Sequence, residues 1–215
     1  ATAVHVESRL RPDVCRTAGP FKDRIPDLDR SAWQPNYNAS KFGLTLNMEL
    51  PRARAIAWKL IEWCDVLAEG YTPGVMARWG MDYESVRQVK PEIIYFSTCQ
   101  QGQYGPHADF RGYGNHAAAV AGMNHLMGWP DREPAAVFGA YTDFISPRFS
   151  AAAVIAALDF RRRTGKGQYV ETSLIQAGLA WTHLESGAYF GGVEEPLATG
   201  TRHRRSTPYQ AYRTA

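Results

Sequence analysis

Asp143 is the side chain with the least evident structural duty in this sequence. In FGAYTDFISP, residues 138–147, it stands between small and aromatic residues just ahead of the alanine-rich run SAAAVIAAL. Ser146 and Pro147 supply an N-cap and a first helical residue, so a helix is expected to begin at 147 without help from the acid. The residues themselves leave two readings open: an ordinary turn aspartate, or a functional carboxylate in apolar surroundings. Other chemistry-bearing residue types lack a working arrangement. There is no G-x-S-x-G elbow, and Cys99 in FSTCQQG has no neighbouring histidine, so a buried thiol is expected there. His5, His107, His116, His125, His183 and His203 show no HExxH or similar spacing, and no metal site is expected. Cys15, Cys64 and Cys99 are odd in number, widely spaced and without CxxC, which predicts a reducing, cytoplasmic setting and no disulfide framework. Neither GxGxxG nor GxxxxGK[ST] occurs.

The elements that would carry these residues follow from pattern. VHVE, from Val4, suits a short strand, and 9–40 is a polar, proline-dotted connection, long enough to count against a minimal domain or to cover a ligand. From Pro51 to Cys64, the apolar residues Ala55, Ile56, Leu60, Ile61 and Cys64 recur at helical spacing. DVLAE at 65–69 reads as a buried strand, Pro73 to Trp79 and Tyr83 to Val89 as short helices, and EIIYFS at 92–97 as a second strand. Helices are expected over 116–127 and 147–163, the latter stopped by Thr164-Gly165. QYVETS at 168–173 is a strand or an extended lead into one helix running from Leu174 to Phe190. Helix and strand alternating in this order predict parallel α/β architecture.

With 215 residues, 45% hydrophobic and 21% charged, the composition is globular, not disordered. A net charge of +3 is too slight to imply a nucleic-acid partner. Basic residues cluster at Arg161-Arg162-Arg163 with Lys166, where they would complement a helix C-terminus, and at Arg202-His203-Arg204-Arg205. No apolar run approaches the roughly 20 residues of a membrane span, and no signal peptide is visible. ATAVHVES, without an initiator Met, and the unfinished TPYQAYRTA lead us to expect a piece of a longer protein.

A series of punctuated segments stands in order along the chain: NASKFGLTLNMELP, DVLAEGYTPG, ARWGMDYE, QQGQYGP, RGYGNH, GAYTD and RRRTGKGQYVETS. In register they resemble the class III CoA-transferase (CaiB/BaiF) family, which includes formyl-CoA, carnitine and arylmethylsuccinate CoA-transferases and the 2-methylacyl-CoA racemases. The resemblance runs over essentially the whole chain. It implies a Rossmann-like large α/β domain of an interlocked dimer, with residues 1–215 forming most of that CoA-binding domain. The first βα unit and a smaller second domain would be missing.

The same resemblance implies roles for particular residues. Asp143 falls where the family's transferases carry a nucleophilic aspartate, which attacks an acyl-CoA thioester through mixed-anhydride and aspartyl-CoA thioester intermediates. Such chemistry needs a site that excludes water and aims donors at the developing oxyanion; Gly139 and Ala140 would admit the thioester, and Tyr141 and Phe144 would keep it dry. The adenine cleft would take in Leu46, Asn47 and Met48 together with Gly70 and Tyr71, in the loop after a strand where open α/β sheets place ligands. Arg78 and Arg111 fall where family members hold the CoA phosphates, and Tyr113 near the pantetheine end. Acyl-CoA and a carboxylic acid are then the expected small-molecule partners, bound by a homodimer or a heteromer with a related subunit.

Two departures from the family pattern matter. Its racemases carry a histidine followed by an acid where this chain has Tyr113 and Gly114, which weakens the racemase alternative. Many of its transferases also have an acid at 114, so a supporting hydrogen bond is expected to be missing; that loss motivates a second alternative, a non-catalytic subunit of a heteromeric transferase. The usual S-G-F-G-Q run appears within TCQQGQ, residues 98–103. Buried amides need partners, so Gln100 or Gln101 is expected to meet a polar group of the acyl moiety or acceptor, such as a second carboxylate.

Overall fold

Parallel strands build both sheets of the computed structural model, which describes residues 1–192 and 197–200. The chain divides into two units, Ala1–Trp63 and Cys64–Ala215. In the first, β1 (Val4–Glu7) pairs in parallel with β2 (Phe42–Thr45), Val4 opposite Phe42 and Glu7 opposite Thr45. The long connection between them holds more structure than its composition predicts: α1 (Val14–Thr17), a 3-10 turn at Lys22–Arg24 and α2 (Trp33–Asn38). Arg16 anchors it, bonding Glu7 at 2.7 Å and Asp29 at 2.6 Å. Its guanidinium holds the Glu7 carboxyl below the usual carboxylate range. The helix predicted after Pro51 is α3 (Pro51–Trp63), but its buried stripe is Ala53, Ala57 and Ile61, with Ile56 exposed. Two stripes shared helical spacing, and the one with the smaller side chains faces inward.

The second unit begins with β3 (Val66–Glu69), α4 (Val75–Arg78), α5 (Tyr83–Val89) and β4 (Ile94–Cys99). There follow α6 (Gly114–Val120), a 3-10 turn at Met123–Leu126, α7 (Tyr141–Thr164), β5 (Gln168–Ser173), α8 (Leu174–Trp181) and α9 (His183–Phe190). The sheet order is β3-β4-β5, all parallel. Central β4 is buried from Ile94 through Ser97, as a strand covered on both faces must be. Ser173 ends β5 and caps α8, accepting from the Gln176 N–H while Gln176 accepts from the Ser173 N–H. Two expected helices are interrupted: 116–127 at Gly122, whose φ of 79° leaves the helical region, and 174–190 at Thr182.

The largest correction concerns α7, which begins at Tyr141 and encloses Pro147. Local rules place a start at Ser146-Pro147; packing adds the preceding turn. Ile145 is buried in a cluster with Ala118 and Met123, and Thr142 donates to the Gly114 carbonyl at 2.7 Å. Those contacts hold the turn although Pro147 cannot donate to the Asp143 carbonyl four residues back. At its other end, α7 carries Arg161, Arg162 and Arg163 in its last turn before Gly165, at φ 75°. Arg161 also bonds Asp65 at 2.9 Å. The second basic cluster, Arg202 to Arg205, lies outside the described residues.

The sheet's two faces differ. One carries the register row Leu67, Tyr95 and Tyr169, followed two residues on by Glu69, Ser97 and Glu171. The other carries Phe96, Val170 and Thr172, and Ser150 of α7 meets the Thr172 hydroxyl at 3.0 Å. Helix α7 and its Asp143 thus belong to the face opposite the tyrosines.

Candidate functional site

Asp143 is the third residue of α7, in the first turn, where an acid faces the positive end of the helix dipole. This is the structural duty the sequence did not reveal. Its carboxyl lies directly over the first residue of α6: a Cβ built on Gly114 would stand 2.7 Å from both Cγ and Oδ2. A side chain at 114 would have to displace the Asp143 carboxyl from this position, so glycine allows the close approach. The Gly114 backbone N–H faces the carboxylate and stabilises its charge, while loss of water is the larger effect and pushes its pKa above the ordinary aspartate value. Asp143 is nonetheless exposed to solvent, so the described residues do not by themselves form the dry enclosure expected around it. Thr142, fully buried, donates to the carbonyl of the same Gly114. Tyr141 packs against the Ala118, Met123 and Ile145 cluster, and Phe144 lies 3.8 Å from the Cβ position of Gly139.

Two residues upstream of Gly114, Gly112 repeats the device. A Cβ at 112 would overlap the Gln100 side-chain amide, so Gln100 occupies the volume left by a missing side chain. Gln100 is 8% exposed, and both its amide nitrogen and oxygen, together with the Thr98 hydroxyl, are buried without hydrogen-bond partners. Its backbone carbonyl accepts from the Ile175 N–H at 3.2 Å, tying the loop after β4 to the start of α8. Gln101 is half-buried beside it. Between the two glycines Tyr113 is 67% exposed, and Arg111, just before them, is exposed. His116 turns back to accept the Tyr113 N–H through Nδ1 at 3.1 Å, which fixes its proton on Nε2.

Gly70 and Tyr71 follow β3 as expected. The Tyr71 N–H donates to Glu69 at 2.8 Å, its carbonyl accepts from the Gln103 side chain at 3.1 Å, and its ring stands edge-on to Trp79 at 5.2 Å. Gln103 in turn donates its N–H to Glu171 at 2.6 Å. The loops after β3 and β4 are therefore bonded to each other over the sheet's C-terminal edge. Arg78 ends α4, exposed, near the Gly74 backbone. Leu46, Asn47 and Met48 lie in the first unit, after the C-terminal end of β2; Leu46 is buried, and Asn47 shapes the turn by accepting the Glu49 N–H at 3.1 Å. A cavity of about 290 Å³ opens on the tyrosine face, lined by Glu69, Asp82, Tyr83, Tyr95 and Tyr169 among others, and Asp143 does not border it.

The profile of the family described as CoA-transferase family III matches residues 1–215. The chain belongs to CoA-transferase family III. Mouse succinyl-CoA:glutarate CoA-transferase is 34% identical over 215 residues, covering all of this chain and 48% of that protein. Acetyl-CoA:oxalate CoA-transferase of Acetobacter aceti is 30% identical, covering 99% of this chain and 54% of the relative. The fold is also that of a CAIB/BAIF family protein from Brucella suis, with a TM-score of 0.87 at 29% identity over 97% of this chain and 55% of the other. The chain thus spans about half the length of the relatives it matches.

Within that family frame, the structure adds residues that sequence reasoning passed over. Thr142 was hidden as the neighbour of Asp143, and Glu69, Ser97 and Glu171 share one register row. The spacing Gly112-x-Gly114 was the available signal for close backbone approach. Cys99 is a half-buried thiol that burial pushes up in pKa, the opposite of an activated nucleophile. Among the described residues, no cluster of three or more His, Cys, Asp or Glu is placed to hold a metal ion, and no helix is long and apolar enough to cross a membrane.

Proposed function

We propose that this chain carries the acyl-transfer carboxylate and part of the coenzyme A site of a CoA-transferase that moves CoA from an acyl-CoA to a carboxylic acid. The observation that carries this reading is the placement of Asp143: a solvent-accessible but partly desolvated carboxylate packed against the Gly114 backbone at the start of a second helix. Asp143 attacks the thioester carbonyl, forming a mixed anhydride and releasing CoA thiolate. The thiolate attacks the aspartyl carbonyl, expelling the donor's acid and leaving an aspartyl-CoA thioester. The acceptor carboxylate then attacks that thioester, again giving an anhydride and thiolate, and the thiolate takes the acceptor's acyl carbon, restoring the Asp143 carboxylate. A carboxylate stripped of some water is a better nucleophile than a hydrated one, and the Gly114 N–H is available to the aspartyl oxygen at the two tetrahedral stages centred on the aspartyl carbon.

Coenzyme A is held, on this reading, by Gly70 and Tyr71 at the adenine, by Arg78 and Arg111 at the phosphates, and by Tyr113 near the pantetheine end. Exposed guanidinium groups on mobile-length side chains suit that task. Gln100 and Gln101 face the acyl or acceptor end; the unpaired Gln100 amide supports this role. Relatives named for succinyl-CoA, glutarate and oxalate favour dicarboxylic acids as substrates. The working assembly is a dimer, of identical chains or with a related subunit.

Racemisation would need a second proton carrier opposite Asp143; Tyr113 is a poor one near neutrality. The packing of the Asp143 carboxyl against Gly114 favours a working site over the non-catalytic reading. Incubation of the full-length protein with acyl-CoA donors should give a CoA adduct by intact mass that is absent in Asp143→Ala. An adduct persisting in that variant would overturn the assignment. Exchange of the α-proton in deuterated water without acceptor acid would identify a racemase instead.

A further inference from the structure

Gly114 is gripped from two sides by consecutive residues. The Asp143 carboxyl covers its Cα, with the Cβ position 2.7 to 2.9 Å from the three carboxyl atoms, and the Thr142 hydroxyl bonds its carbonyl at 2.7 Å. Thr142 has no exposed surface, and its methyl lies 3.5 Å from the Cβ position of Gly178 in α8. It therefore stands where the first turns of α6 and α7 meet α8, its hydroxyl aimed at one of them and its methyl at another. Glycine has no side chain to lock its own backbone, so the orientation of residue 114, and of the N–H it offers Asp143, must be imposed from outside.

We propose that Thr142 is a positioning residue for acyl transfer: its buried hydroxyl holds the Gly114 carbonyl, and through it keeps the backbone of residue 114 packed against the Asp143 carboxyl through the reaction. The inference rests on Asp143 being the nucleophile. Because residues 142 and 143 lie in one helical turn, Gly114 cannot shift relative to the carboxyl without stretching the Thr142 bond. The same N–H serves two charge states. It meets a carboxylate in the resting protein and, once Asp143 is acylated, an aspartyl carbonyl oxygen that gains negative charge when the thiolate or the acceptor carboxylate attacks. A donor held in place needs no reorganisation at either stage, whereas a loosened one loses the alignment on which such transfers depend.

The test compares Thr142→Val, which keeps the shape and removes the hydroxyl, with Thr142→Ser, which keeps the hydroxyl and removes the methyl. In the full-length protein, single-turnover formation of the aspartyl-CoA adduct should slow by about 10- to 100-fold in the valine variant, with KM for acyl-CoA little changed. The acid limb of its pH–rate profile should move to higher pH, because the carboxylate loses an opposing donor. The serine variant should stay near the parent in both readouts. A valine variant as fast as the parent with an unmoved acid limb would overturn the inference, as would a slow serine variant beside a fast valine one, which marks the methyl contact as the essential one. If the valine variant does not fold, Thr142→Ala and Thr142→Ser differ only by the hydroxyl oxygen; alanine at least about 10-fold slower supports the role, and equal rates defeat it. Asp143→Ala separates the two layers of argument: loss of its adduct alongside a normal valine variant sinks the role of Thr142 alone, and a surviving adduct sinks the nucleophile as well.

Discussion

Two desolvated carboxylates in the second unit have opposite fates. Glu69, 9% exposed at the end of β3, has its pKa raised by burial, and it is fully engaged: it accepts from the Ser97 hydroxyl and from the Tyr71 N–H at 2.8 Å. Asp143 is also raised by lost hydration, but only one backbone N–H opposes that effect, and the residue is exposed. Desolvation alone therefore does not mark a reactive acid. Glu69 spends its lone pairs tying the loop after β3 to strand β4, whereas Asp143 is exposed to solvent.

The sharpest way to break this contrast is paired substitution. Asp143→Asn should lower CoA transfer by about 10³-fold or more, the scale of losing a covalent nucleophile. Glu69→Gln, which preserves shape, can still accept the Tyr71 N–H through its carbonyl oxygen while its NH2 donates to the Ser97 hydroxyl, and should leave steady-state transfer within a few-fold. Comparable losses in both would erase the distinction. Next in size is Gly114→Ala, whose methyl would sit 2.7 Å from the Asp143 carboxyl. Displacing the carboxyl by that contact should cost about 10²-fold in rate, since ångström-scale misplacement has that effect. Gly114→Asp should fare no better.

Stability should separate the two acids in the other direction. Glu69→Ala leaves the Ser97 hydroxyl and the Tyr71 N–H without their acceptor, and urea denaturation should show a loss of about 1–3 kcal/mol. Asp143→Asn should raise stability at neutral pH. A carboxyl whose pKa is raised in the folded state binds its proton more tightly there than in the unfolded chain, so its presence costs stability increasingly as pH climbs from the ordinary value of 3.8 through the raised one. The gain in urea midpoint should be present at pH 7 and shrink toward zero below that ordinary value; a gain independent of pH would show that the ionised carboxyl is not its source.

Local pattern reached far into this fold. The strand QYVETS, the helix Tyr83–Val89 and the buried strand after Pro91 needed only periodicity and punctuation. Strand β2 escaped notice because FGLT is mostly exposed and carries Gly43, so it lacks the alternation of a half-buried strand. The start of α7 was missed for a different reason. Ser146-Pro147 is a sound local start signal, and the extra turn exists because Ile145 and Thr142 gain partners on α6.

By itself, then, the sequence determined the family, the parallel α/β order and the identity of the acid at 143, because motifs in register and hydrophobic period are properties of neighbouring residues. Only the tertiary structure decided what that acid faces. A glycine at 114 reads locally as the loss of a side chain; beside Asp143 it lets the backbone approach the carboxyl where a Cβ would stand 2.7 Å from it. Contacts between residues 28 positions apart, such as Thr142 with Gly114, have no local signature, since they depend on how two helix ends meet and not on either end alone.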